Sequence, residues 1–227
     1  MFLQKLRSPW GRILALICVG SFLSYALAAN RRLLPSPADL LAQVQPIHCP
    51  PDATFHPPLA ENQDLLNGDR PLSQLLPSGF NPQQVSILIE KQQQRFTLHL
   101  DRRPIKSYRV VFGEPSGDKR REGDRRTPEG MFQIRDKYPH ELWSKFLWIN
   151  YPNEQSWCKH RRSKQQGDIP WTSSIGGEVG IHGVPAGADD WIDRNLHWTL
   201  GCPSLKNRDV EEIYPVVSIG AIVEILP

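Results

Sequence analysis

A mainly β domain, a sandwich or a barrel with a few short helices, is predicted for residues 85–227. Short apolar or alternating runs recur along this part of the chain, and segments rich in charge, Gly or Pro separate them. The length of 227 residues suits one ordinary domain with additional segments. The hydrophobic content of 39% and the charged content of 22% are those of an ordinary soluble fold.

The predicted strands share a content of Val, Ile, Leu and Phe between turn-forming residues. They are Val85–Ile89, Arg95–Leu100, Pro104–Gly113, Glu129–Ile134, Phe146–Ile149, Val179–His182 and Ile219–Leu226. A short helix is predicted from Arg208 to Tyr214, because Asn207 can cap it and acidic residues in its first turn suit the positive end of its dipole.

The first 28 residues indicate export. Three positive residues precede an uncharged apolar run from Ile13 to Ala29, which contains the small-x-small pattern Ala26-Leu27-Ala28. This pattern predicts a signal peptide over residues 1–28, cut after Ala28, and an uncleaved membrane anchor is the alternative. Either case places the body in the periplasm or cell wall, with membrane contact only through this segment.

Residues 29–84 form a Pro/Gln-rich N-terminal segment. Frequent prolines interrupt long elements, so a tether or pro-segment that partly packs on the body is expected. Pro37 suits the first turn of a short helix over Ala38–Val44.

Three cysteines lie outside the signal: Cys49, Cys158 and Cys202. In an oxidising compartment two of them can pair, while the third stays free because it reacts. We expect Cys202 to be the reactive thiol. Cys49 and Cys158 either form a disulfide or remain unpaired structural residues.

Two short motifs suggest a nucleophile and its base. His182-Gly183 ends an apolar stretch, and Cys202 follows Gly201 in the run Thr199-Leu200-Gly201-Cys202. A free thiol is only about 3% thiolate at neutral pH, and a neighbouring imidazolium raises that fraction. A thiol pKa below the ordinary value is therefore expected. Gly201 allows close approach of the backbone, whose amides near Cys202 can face an oxyanion.

The charge pattern excludes one class of partner. A net charge of +3 is too small to argue for nucleic acid, and stacking aromatics are not interleaved with the basic residues. The Gly-rich and charged segment 113–130 is expected to be an exposed loop without phosphate-binding spacing. Its arginines and lysine either form a solvated surface or a basic rim that attracts anionic substrates.

These motifs together resemble the L,D-transpeptidase catalytic domain (YkuD-type) over Val85–Pro227. The family pattern is His-Gly, a gap, and then Ser/Thr-His-Gly-Cys, and the stretch FGEPSGDKRREGDRRTPEGMFQI is also similar to the family. The resemblance implies an L,D-transpeptidase-like β-sandwich without cofactor or metal. It implies Cys202 as nucleophile, His182 as base, the Gly183 carbonyl as orienting group, and Thr199 and Gly201 at the substrate or oxyanion side.

Two positions depart from the family pattern. Leu200 replaces the motif His, and Ser204 replaces the usual Arg or Asn. His197 either substitutes for the missing His or is a loop histidine.

The resemblance implies acyl transfer on peptidoglycan stem peptides, giving 3→3 cross-links or anchoring a protein to the wall. Hydrolysis of the same acyl-enzyme, as an L,D-carboxypeptidase or endopeptidase, and a non-catalytic wall-binding module are the alternatives. A metal site of Cys202, His182 and His197 has poor spacing for zinc.

Overall fold

The structure is a computed structural model that describes residues 65–113 and 116–227, together with residues 21, 24–25, 27–28, 30–31, 34–36, 47, 49–50 and 54–57. Residues 49–160 and 175–227 form one compact unit, and residues 1–48 and 161–174 belong to a second. The predicted signal peptide and the predicted helix over Ala38–Val44 lie mainly or wholly outside the described residues. No helix in the described part of the chain is long and apolar enough to cross a membrane.

Among the described residues, seven strands form one sheet. They are β1 (Val85–Glu90), β2 (Arg95–Leu100), β3 (Arg103–Arg109), β4 (Gly130–His140), β5 (Ser144–Ile149), β6 (Gly180–His182) and β7 (Ile222–Leu226). The helices described over residues 65–227 are α1 (Glu154–Gln165), α2 (Asp190–Asp193) and α3 (Asn207–Ile213), and 3-10 turns cover Leu72–Gln74 and Pro82–Gln84. The strand order is β3-β2-β1-β7-β4-β5-β6. β1 and β7 are parallel, and the other neighbours are antiparallel.

The long strand β4 joins the two halves of the sheet. Residues 130–133 pair with β7, whereas residues 134–140 pair with β5 after a register shift between Ile134 and Asp136. Such a shift bends a strand and increases its twist. Both halves contribute buried side chains to one core, among them Ile87 of β1, Phe132 of β4 and Ile149 of β5. The predicted mainly β fold with a few short helices is confirmed.

The two edge strands are connected through Ser204. Val111, just after β3, and His182, at the end of β6, both form bridges with Ser204. The amide of Ser204 donates to the Val111 carbonyl (2.8 Å), and the amide of His182 donates to the Pro203 carbonyl (3.1 Å). The segment around Cys202 is therefore held between the two edges of the sheet. The predicted strand Pro104–Gly113 ends earlier, at Arg109, because the chain leaves β2 to make these bridges.

One helix was not predicted, and the predicted cap of another is wrong. Helix α1 was not predicted, although Asn153 precedes it and accepts the Ser156 amide through Oδ1 at 2.9 Å. The expected cap of α3 is wrong, because Lys206 occupies the N-cap and its side chain makes no capping hydrogen bond, whereas Asp189 Oδ1 accepts the amide of Asn207 at 2.8 Å. Asn207 Oδ1 instead accepts the amide of Val184 at 3.1 Å. Its side chain thus stabilises the loop that follows His182.

Several contacts attach described residues of the N-terminal segment to the sheet unit, among them the following. Cys49 and Cys158 form a disulfide, and Cys202 is free. Glu224 of β7 accepts the amides of Phe55 (3.0 Å) and His56 (2.8 Å). The expectation that residues 29–84 partly pack on the body is therefore met at residues 49 and 55–56.

Candidate active site

Strand register brings Cys202 and His182 to the same face of the sheet. His182 and Ser204 form a parallel bridge, so their side chains lie on the same face. Cys202 is two residues before Ser204, and because side chains alternate along an extended chain, its side chain lies on that face as well. The same register sets Cys202 beside Gly180, whose amide lies 3.5 Å from the Cys202 sulfur. Cys202 thus lies opposite Gly180, two residues before His182 on the adjacent strand.

The imidazole of His182 is held in one tautomer. Its Nδ1 lies 2.6 Å from the carbonyl oxygen of Gly183, and because a carbonyl only accepts, Nδ1 carries the proton. Within the described residues Nε2 has no hydrogen-bond partner, so it presents a lone pair. Ser204 Oγ donates to the same carbonyl at 3.1 Å. Ser204, which stands where the family pattern has Arg or Asn, therefore helps to fix the Gly183 carbonyl that orients the imidazole.

Three aromatic rings surround this imidazole. Trp143 stacks on it at 4.5 Å between centroids, Phe146 lies parallel to it at 5.8 Å, and Trp198 meets it edge-on at 5.5 Å. The carbonyl of Trp143 also accepts the Gly183 amide at 3.1 Å. Sequence reasoning missed these residues. The aromatic density of the stretch 143–148 was the available signal, but its distance from the His182 motif along the chain concealed its role.

Gly183 is required by close contacts. A Cβ at this position would lie 2.1 Å from Asn207 Oδ1 and 2.7 Å from the Trp143 carbonyl oxygen. Such distances are shorter than any van der Waals contact, so a larger residue would displace the loop that orients the imidazole. Gly183 thus contributes both its carbonyl and its missing side chain to the site.

Burial keeps both groups neutral in the free protein. Burial lowers the pKa of His182 to about 4, although its hydrogen bond to Gly183 opposes this change. Burial raises the pKa of the Cys202 thiol to about 11, although the Gly180 amide and the charge of Lys119 oppose the rise. The expectation of a thiol pKa below the ordinary value is therefore wrong for the free protein. The Cys202 sulfur instead lies 3.8 Å from the Glu178 carbonyl oxygen, to which it donates.

The turn before the cysteine is shaped by Thr199. Its hydroxyl accepts the Gly201 amide at 3.2 Å and donates to the Cys202 carbonyl at 2.7 Å. Gly201 has φ +132°, and a Cβ there would lie 2.6 Å from the Arg126 carbonyl oxygen. Thr199 and Gly201 thus hold the turn, and their contact with substrate stays a prediction. The amide of Cys202 itself has no hydrogen-bond partner within the described residues.

Leu200, which replaces the motif His, and His197, the candidate substitute for that His, lie in different environments. Leu200 is 77% exposed, so it forms an apolar rim beside Cys202. His197 accepts the Phe112 amide through Nδ1 at 3.2 Å, and its Nε2 lies 3.0 Å from Gln94 Nε2. Both ring nitrogens of His197 are engaged, so it does not take the place of the motif His.

The charged loop lies against this turn and is ordered by one carboxylate. Asp124 accepts the amides of Arg120 (2.7 Å), Arg121 (3.0 Å) and Arg126 (3.0 Å), and it pairs with Lys119 at 2.9 Å. Burial alone would raise the pKa of Asp124, but these hydrogen bonds hold it below its ordinary value. The loop was expected to be exposed throughout, but Lys119 and Thr127 are buried.

The family model described as the L,D-transpeptidase catalytic domain (YkuD) matches residues 84–225. No curated protein matches the chain.

Solved structures with a similar fold include three from bacteria. The L,D-transpeptidase from Mycobacterium smegmatis is 14% identical, with a TM-score of 0.42, over 63% of this chain and 59% of that chain. L,D-transpeptidase 3 from Mycobacterium tuberculosis, in complex with a faropenem-derived adduct, is 15% identical, with a TM-score of 0.44, over 63% and 60%. The helical cell shape determining protein Pgp2 from Campylobacter jejuni is 22% identical, with a TM-score of 0.43, over 68% and 53%. The match thus spans between half and three fifths of each of these chains.

Proposed function

The chain belongs to the L,D-transpeptidase catalytic domain family, and we propose that it transfers the acyl group of a peptidoglycan stem peptide through a thioester on Cys202. The observation that carries the proposal is the bridge between His182 and Ser204. It sets a free thiol and an imidazole with an open nitrogen on one face of the sheet. A cysteine with an adjacent, oriented base is the arrangement that nucleophilic catalysis requires.

His182 acts as the base in the first step. With a pKa of about 4 its Nε2 is unprotonated at neutral pH, while Cys202 remains a thiol. Nε2 takes the thiol proton as the sulfur attacks the carbonyl carbon of the donor peptide, and the π electron pair moves to the carbonyl oxygen. Because the free site disfavours both charged forms, proton transfer accompanies attack and does not precede substrate binding.

The developing oxyanion needs a donor, and the unpaired amide of Cys202 is suited to this role. The Thr199 hydroxyl fixes the peptide groups on either side of it. A donor of this kind contributes roughly 3 kcal/mol to transition-state stabilisation. The C–N bond then breaks, its electron pair goes to the leaving nitrogen, and that nitrogen takes the proton from His182. The products are a thioester on Cys202 and a released amine.

An acceptor amine completes the reaction. It loses a proton to His182, attacks the thioester and displaces the sulfur, which recovers the proton. A stem-peptide amine gives a 3→3 cross-link, and a protein lysine gives an anchored protein. The exposed apolar side chain of Leu200 offers a surface that an acceptor peptide can cover, which would keep water from the thioester.

One observation favours a hydrolytic alternative. Leu200 is mostly exposed in the free protein, so water reaches the rim of the site unless an acceptor covers it. Transfer of the same acyl group to water would make the protein an L,D-carboxypeptidase or endopeptidase. His182 would then deprotonate water in place of the acceptor amine, so the two reactions differ only in which nucleophile reaches the thioester.

The proposal includes the setting of the enzyme. Residues 1–28 are a signal peptide or an anchor, residues 29–84 are a tether, and residues 85–227 are the catalytic domain. The disulfide between Cys49 and Cys158 supports an oxidising compartment outside the cytoplasm. Transpeptidases of this family act on peptidoglycan, which lies in that compartment.

The test uses the full chain with a disaccharide tetrapeptide, and mass spectrometry of the products. A 3→3 dimer supports transfer, and a tripeptide as the sole product, with added amines never captured, shows a peptidase. Binding without either product would leave a wall-binding module. Cys202→Ser is the matched control, because it removes the thiol and keeps the size of the side chain.

A further inference from the structure

Within the described residues, one cation near the candidate site has no counter-charge. The Nε of Arg126 is buried and has no hydrogen-bond partner within the described part of the chain. Its guanidinium lies at Gly117, where an added Cβ would be 3.8 Å from both Cζ and Nη1. A buried donor without a partner destabilises a protein, so such a group in a folded chain calls for an explanation.

Three carboxylates in the described part of the loop are already paired with other groups. The carboxylate of Asp124 accepts three backbone amides and pairs with Lys119. Asp118 accepts the Glu129 amide at 2.8 Å and pairs with Lys159 at 3.0 Å. Glu129 pairs with Lys91 at 2.6 Å. These three carboxylates are therefore neutralised by lysines, and within the described residues none of them pairs with Arg126.

The backbone of Arg126 connects this cation to the reactive turn. Its carbonyl oxygen would lie 2.6 Å from a Cβ on Gly201, the residue before Cys202. Gly117 also lines a cavity of about 380 Å³, together with Gly113 and Phe112. Arg126 thus belongs to a loop that borders this cavity at Gly117 and packs directly on the nucleophile's turn.

We infer that Arg126 binds a carboxylate of the donor peptide and so sets which peptides acylate Cys202. A guanidinium matches a carboxylate with two parallel N–H···O bonds, which fix orientation as well as charge. Ser204 carries no charge at the position where the family pattern has Arg or Asn, and Arg126 supplies a cation from a different loop. The inference rests on the proposed function for the identity of the peptide, and its carboxylate-binding part is tested independently below.

The test compares two variants of the full chain. Arg126→Gln removes the charge, and Arg121→Gln removes the charge of an exposed arginine in the same loop. Acylation kinetics are measured with a tetrapeptide donor bearing free carboxylates, and with donors amidated at the C-terminus or at the diaminopimelate side-chain carboxyl. We expect Arg126→Gln to raise KM about 10- to 100-fold on the free donor, with a much smaller change in kcat. Arg121→Gln is expected to stay within about twofold, and Arg126→Lys to recover part of the loss.

The amidated donors identify the carboxylate. The donor whose amidation abolishes the difference between wild type and Arg126→Gln carries the group that Arg126 binds. An equal loss on every donor, or a loss no larger than that of Arg121→Gln, overturns the inference. Thermal unfolding of each variant distinguishes a folding defect from a binding defect.

A binding measurement keeps the inference separate from the proposed function. Calorimetric binding of the free donor is compared between Cys202→Ser and Cys202→Ser with Arg126→Gln, neither of which depends on turnover. Weaker binding in the double variant supports the carboxylate site even if the wild type never forms a thioester. Equal binding by both overturns the carboxylate site whether or not the wild type is acylated.

Discussion

Two buried histidines, His56 and His182, show what separates a structural contact from a reactive group. His56 Nδ1 lies 2.8 Å from Glu224 Oε2, and Nε2 lies 2.8 Å from Ser86 Oγ. This Ser-His-Glu chain has the connectivity of a catalytic triad, but all three residues are buried and both ring nitrogens are used. His182 has one nitrogen used by Gly183 and one left open.

The pKa values of the two histidines do not distinguish them. Burial lowers the pKa of His56, and it lowers that of His182 to about 4. The two histidines differ in whether the second ring nitrogen has a hydrogen-bond partner. Where the protein satisfies both nitrogens, the histidine fastens a chain segment to the sheet. Where a half-buried thiol shares the face and one nitrogen stays open, the histidine can accept a proton.

The largest effect is expected from His182→Ala. Removing the base should lower the rate of Cys202 acylation by about 10²- to 10⁴-fold, because proton transfer in the attack step loses its acceptor. The rate of acyl-enzyme formation, followed by intact-protein mass, measures the loss. If acylation by this variant stays near wild type while His56→Ala abolishes it in a folded protein, the roles assigned to the two histidines are reversed.

The next effect is on stability and concerns His56→Ala. It leaves Glu224 buried without its ring partner, which should lower the free energy of unfolding by about 3 kcal/mol. Denaturant unfolding measures this change, and acylation of the folded variant should remain within about twofold of wild type. In a Glu224→Gln background the same substitution should cost less, since the two groups interact. Equal costs in both backgrounds would show that the pair is not coupled.

The smallest effect concerns the pH dependence of the alkylation rate at Cys202. Because burial raises the pKa of this thiol to about 11, the rate with iodoacetamide should keep rising above pH 9. The rate is followed on the peptide that carries Cys202. His182→Ala should leave the midpoint almost unchanged, because the imidazole is already neutral at these pH values. A midpoint below pH 8 that disappears in His182→Ala would instead reveal a thiolate–imidazolium pair.

Local pattern was enough to predict most of the strands. The alternation in Arg95–Leu100 and the apolar runs at Val85–Ile89 and Phe146–Ile149 match β2, β1 and most of β5. Helix α1 was missed because its sequence is mostly polar, although Asn153 before it and basic residues in its last turn were usable signals.

The motif residues were located by sequence, but their environment was not. The low thiol pKa expected for Cys202 assumed a charged neighbour, whereas the fold surrounds both groups with buried atoms. Trp143 reaches His182 only through the β4–β5 hairpin, and no short-range pattern encodes that contact. Asn207 has the residue type of a helix cap, yet the tertiary contact with Val184 took its side chain.

The most direct test of the account is to trap the acyl-enzyme. The full chain is mixed with a disaccharide tetrapeptide, quenched in acid, digested and mapped by mass spectrometry. The account predicts an adduct equal to the donor without its terminal residue, located on the peptide that carries Cys202 and absent in Cys202→Ser. Release of the terminal residue by Cys202→Ser at the wild-type rate, or an adduct on any other residue, would contradict it.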